Sequence, residues 1–144
     1  YNTNKFDPNG TLNRAQATCI LANYSGVKTE HTFSDVTPGN YYYDAVEWAA
    51  SNGIVNGMDD GTFDPDGACT REAFCAMLAN MAGDADGIIW PVNIDDWSSV
   101  SVWARDAVAW AVEEGIIGNT GSIRPGDACT RAEAAAMLYN YSKR

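Results

Sequence analysis

Three stretches of the chain, residues 12–24, 69–81 and 129–141, space their apolar side chains three and four positions apart. This spacing predicts amphipathic helices, with Ala73, Phe74, Met77, Leu78 and Met81 on the apolar face of the second and Met137, Leu138 and Tyr141 answering in the third. Asn13, Thr70 and Thr130 stand at the starts, where a side-chain oxygen can accept from an exposed backbone N–H. Gln16 and Glu133 follow three residues later and complete capping boxes. In the middle stretch Glu72 comes one position early, which predicts a poorer cap.

Two shorter stretches, "YYYDAVEWAASNGIV" (41–55) and "VWARDAVAWAVEEGII" (102–117), have narrower apolar stripes. Ala45, Val46, Ala49 and Ala50 make one, and Ala107, Val108, Ala111 and Val112 the other. Gly53 and Gly115 end them, since a left-handed glycine lets Ile54 or Ile116 fold back on the last turn. Trp48 and Trp110 lie near the stripes and are expected in the core. Loops such as "NGMDDGTFDPDG" turn on Asn, Asp, Gly and Pro. Their acids are not spaced as in an EF-hand, and "GNTGSIRPGD" lacks most of them, so calcium is not expected.

These elements repeat. Residues 6–24 align without a gap on 63–81, an offset of 57 (Arg14 to Arg71), and 63–81 align on 123–141, an offset of 60 (Arg71 to Arg131). "FSDV" at 33–36 matches "IDDW" at 94–97 and pairs Asp35 with Asp96. The unit is a short helix, a turn-rich loop and a long helix. The chain divides into a partial repeat at 1–30 with only the second helix, and repeats at 31–84 and 85–144, together one structural domain.

Composition narrows the function. The 144 residues are 46% apolar and 19% charged, enough for one buried core. A net charge of −10 with nine Lys and Arg argues against nucleic acid and against anionic membrane surfaces. No apolar run nears the roughly 18 residues that span a bilayer, so membrane insertion is not expected. The start at Tyr1, without a leader-like segment, suggests a processed or excised fragment. Cys19, Cys69, Cys75 and Cys129 have no CxxC spacing and His31 is the sole imidazole, so neither metal nor cofactor is expected and His31 receives no role. The redox state of the thiols is left open. No nucleophile constellation or asymmetric carboxylate pair suggests an enzyme.

Arg14, Arg71 and Arg131 all take the first helical position, beside the positive end of the helix dipole. A cation there is disfavoured by about 0.3–1 kcal/mol, so three in register require a reason. Two readings stay open. Asp35, Asp96 or an acid of the neighbouring loop pairs with each arginine and locks the units together; or an anionic ligand lies in grooves between units.

The order of "FSDV", "VWARDAV", "NGIVNGMDDGTFDPDG" and "CTRAEAAAML" resembles the signature of the S-layer homology (SLH) family over nearly the whole chain. The resemblance implies an all-α fold of tandem helix-loop-helix repeats in a pseudo-threefold arrangement. It also implies a non-catalytic, extracellular module on the bacterial cell surface. Such modules bind an anionic, often pyruvylated, secondary cell wall polysaccharide in inter-repeat grooves. Carried onto this chain, the ligand-binding residues are Arg14, Arg71, Arg131, Thr70, Thr130, Asp35, Asp96, Tyr41 and Trp103. Ile94 and Trp97 depart from the usual Phe and Val, and the first repeat lacks its first helix, which a partner element would complete. The groove bordered by Arg71, Arg131 and Trp103 is expected to be the most complete.

Overall fold

The computed structural model describes residues 6–26, 33–86, 88–90 and 93–144; His31 lies outside them. The chain runs through α1 (Arg14–Ser25), α2 (Tyr43–Ser51), α3 (Arg71–Ala82), α4 (Arg105–Glu113) and α5 (Arg131–Ser142). Two 3-10 turns, Trp97–Ser99 and Val102–Ala104, precede α4. The fold is all-α: among the described residues the extended backbone makes isolated bridges and no sheet.

The caps follow the sequence closely. Asn13 accepts from the Gln16 N–H and Thr130 from the Glu133 N–H, with the reciprocal side-chain bonds present in both. Thr70 accepts from the Ala73 N–H without a reciprocal bond. At the end of α2, Gly53 (φ 69°) donates to the Ala50 carbonyl and Ile54 to that of Ala49. Gly115 and Ile116 repeat these bonds on Val112 and Ala111. Ile54 and Ile116 are thereby buried, as are Trp48 and Trp110.

Closure comes from three short extended segments, one before each long helix. The Leu12 N–H donates to the Cys129 carbonyl (2.9 Å), the Cys129 N–H to that of Cys69 (2.8 Å), and the Cys69 N–H to that of Leu12 (3.0 Å). This ring of main-chain bonds relates the three repeats by a pseudo-threefold axis. Its three side chains are buried. Outside the ring, α2 packs on α1 and α4 on α3. Burial pushes the Cys69 and Cys75 thiols up to about 12 and Cys129 to about 11.

Candidate functional site: the inter-repeat joints and grooves

Each long helix starts against the loop of another repeat. The Arg14 N–H donates to the Gly67 carbonyl (2.9 Å) and the Ala15 N–H to that of Pro65 (3.0 Å). Arg71 and Glu72 meet the Asp127 and Pro125 carbonyls, and Arg131 and Ala132 those of Gly10 and Pro8. The first donors of each helix are thus satisfied from outside, and the third by the N-cap side chain.

The arginine side chains continue the pattern. Arg14 Nε donates to the Phe63 carbonyl (2.9 Å) and Nη2 to that of Asn56 (3.3 Å), and its guanidinium lies 4.7 Å from the Phe63 ring centroid. Arg71 Nε donates to the Ile123 carbonyl (2.7 Å), and Nη1 pairs with Glu133. Arg131 Nη1 stands 3.3 Å from Asp7 Oδ2. Loop carbonyls offset the unfavourable helix end at Arg14 and Arg71, and a carboxylate does so at Arg71 and Arg131.

Asp35 and Asp96 pair with loop N–H groups, and Asp96 also with a hydroxyl, rather than with these arginines. Asp35 accepts from the N–H groups of Phe63 (2.7 Å) and Asp64 (2.8 Å). Asp96 accepts from Ile123 (2.9 Å), Arg124 (2.8 Å) and the Ser122 hydroxyl (2.8 Å). Each clamps a loop at a residue with positive φ, Asp64 at 59° and Arg124 at 50°. Asp7, at 50°, marks the same turn in the first repeat. Partial burial raises the Asp96 carboxyl, but the bonds from Ile123, Ser122 and Arg124 outweigh it and hold the group below its ordinary value. Glu133 is lowered likewise: burial opposes, while the Thr130 N–H, Arg71, the Thr130 hydroxyl and Arg124 prevail.

Glu72 was missed by the repeat pattern. Its buried carboxylate accepts from the Ser101 N–H and hydroxyl and so ties α3 to the turn carrying Trp103. Its early position, noted only as a weaker cap, was the available signal.

Grooves A and B open between repeats among the described residues. Groove A, about 940 Å³, runs along α3 and the loop after α2, bordered by Arg14 and Trp103, with Asn80, Asp59 and Asp106 in its walls. Groove B, about 660 Å³, lies between α1 and α5 and is mostly apolar, with Tyr24, Tyr41, Leu138 and Tyr139 around Arg131. Arg71 lines a small void of about 10 Å³ together with Val108, Ile117 and Met137. The expected grouping of Arg71, Arg131 and Trp103 is therefore not the one formed. Because α4 packs on α3, Trp103 joins the groove entered by Arg14, while Tyr41 on the α2 side joins Arg131. Thr70 and Thr130 cap helices and bridge to Ala128 and Thr11 at the axis. Among the described residues no group of three or more His, Cys, Asp or Glu is arranged to hold a metal ion, and no helix is long and apolar enough to cross a membrane.

Residues 32–75 and 93–135 match the family model of the S-layer homology domain. The chain is 33% identical over 144 residues to an amylopullulanase of Thermoanaerobacterium thermosulfurigenes, covering 94% of this chain and 8% of that protein. It is 30% identical to the surface-layer 125 kDa protein of Lysinibacillus sphaericus, covering 92% and 12%. To the cellulosome-anchoring protein of Acetivibrio thermocellus it is 25% identical, covering 92% and 32%. The chain thus spans less than a third of the length of each of these relatives.

Proposed function

Because the chain belongs to the S-layer homology domain family, we propose that it is a non-catalytic anchor binding an anionic, pyruvylated secondary cell wall polysaccharide in groove A. The catalytic name of the amylopullulanase does not carry over, since the match covers 8% of that protein. Surface-layer and cellulosome-anchoring relatives support a cell-surface location, and the bacterial cell wall is the proposed site of action.

The observation that carries the reading is the meeting of Arg14 and Trp103 on one groove of about 940 Å³. A guanidinium can hold the ketal carboxylate and an indole can stack on a sugar face, a pairing suited to an acidic glycan. Asp35 and Asp96 then act by fixing the loops, and Thr70 and Thr130 by fixing the helix starts. Tyr41 and Arg131 form a second, more apolar place. Groove B is also our candidate seat for the element completing the first repeat, since among the described residues no helix covers α5 as α2 covers α1.

Binding of the chain to purified walls, with and without chemical removal of the ketals, tests this function. Retention that ignores ketal removal would refute an anionic ligand. The alternative, a structural module whose arginines lock repeats together, is favoured at Arg71 by its bonds to Ile123 and Glu133. It predicts no wall binding at all.

A further inference from the structure

Trp90 lies near the start of the third repeat, ahead of the "IDDW" segment that matches "FSDV" of the second. Its Nε1 donates to Asp106 Oδ1 at 2.9 Å. The Arg105 guanidinium sits 5.5 Å from its ring centroid, and the Trp97 ring 6.0 Å away at 49°. The residue is nonetheless 47% exposed. An indole whose one polar atom is already bonded offers water only apolar surface. Because three neighbours hold it, a ligand stacking on it meets little ordering cost.

Asp106 joins this ring to groove A, because the same aspartate lines the groove wall. Trp103, 65% exposed, stands three residues earlier on that border. Charge is divided unevenly around the groove. Arg14 is the one cation among the described lining residues, whereas Asp59, Asp86 and Asp106 are acids. A ketal carboxylate is attracted to Arg14 and repelled near Asp86 and Asp106, where carboxylate oxygens instead accept from sugar hydroxyls.

The geometry points to an outer subsite, formed by Trp90 and Asp106 beside Trp103, for an uncharged sugar ring of the polymer whose acidic ring lies at Arg14. This subsite rests on the polysaccharide reading above. It makes the anchor read chain length as well as charge.

The test is calorimetry with wall-polysaccharide fragments released from purified walls, sorted into short and long, all retaining the ketal. Trp90→Ala is expected to lose about tenfold affinity for long fragments and none for short ones. That difference should persist in high salt, since a contact with a neutral ring is not screened. Trp90→Phe keeps a stacking face and should stay within about threefold of the parent on long fragments. Equal affinity of parent and Trp90→Ala for long fragments, or an equal loss on both lengths, overturns the subsite while leaving the anchor intact. A parent chain that binds neither length refutes the polysaccharide reading and the subsite with it.

Discussion

The Glu72 carboxylate receives both the N–H and the hydroxyl of Ser101, at 2.9 and 2.6 Å. The bonds span two repeats and fix the start of the turn that ends in Trp103 and Ala104. Shifting the acid one place from its position in α5 exchanges a local capping bond for a tie between repeats.

Removing that tie should cost stability and binding together. Glu72→Ala leaves the Ser101 N–H without its acceptor, and a loss of about 2–4 kcal/mol is expected from urea unfolding midpoints. Glu72→Gln keeps one acceptor and should lose less.

Arg14 and Arg71 should separate. Arg71→Ala removes the contact with Glu133 at a closed joint and is expected to lower the unfolding midpoint more than wall binding. Arg14→Ala should cut polysaccharide affinity about tenfold or more, and Arg14→Lys should recover part of it by restoring charge without the planar fork. Parallel calorimetry and thermal melts on the variants check the split.

Acid should loosen the third repeat. The folded Asp96 and Glu133 carboxyls lie below their ordinary values, so each adds stability that is complete above the unfolded carboxylate range of about 4. That stability is lost as pH falls through the folded values. Asp96→Asn should flatten the decline of the melting temperature below about pH 4 relative to the parent.

Backbone conformation gives a sharper substitution. Asp64 sits at φ 59°, where a β-branched side chain is strained, so Asp64→Val should destabilise by about 1–2 kcal/mol. Asp64→Gly should stay within about 1 kcal/mol of the parent in the same unfolding assay.

The thiols offer a readout of global opening. With Cys69 and Cys75 held at about 12, Cys129 at about 11 and all three buried, alkylation at neutral pH should reach them only on unfolding. Cys19, partly exposed in groove B, should be modified first, as mass spectrometry of a labelling time course would record.

The local parts of the fold were legible in the sequence. Period, cap residues and the Gly-Ile endings are written within a few positions, and Asn13, Thr130, Gly53 and Gly115 behave as their types require. The partners of Arg14, Arg71 and Asp96 were not legible, because most are main-chain carbonyls and N–H groups brought in from distant loops. Backbone acceptors have no letter in a sequence. Groove membership was hidden for a related reason: it depends on which helix of one repeat packs on which helix of another. Trp90 escaped because it stands ahead of the segments that match between the repeats.

The ring joining Leu12, Cys69 and Cys129 is built entirely of main-chain atoms. Its bonds do not depend on side-chain chemistry, so one repeat can drift in sequence without releasing the other two. Such a joint lets neighbouring grooves specialise, one polar beside Trp103 and another apolar beside Tyr41, under a shared closure. It also ties the three segments into one mechanical circuit, so a pull on one end of the domain is carried across all three bonds.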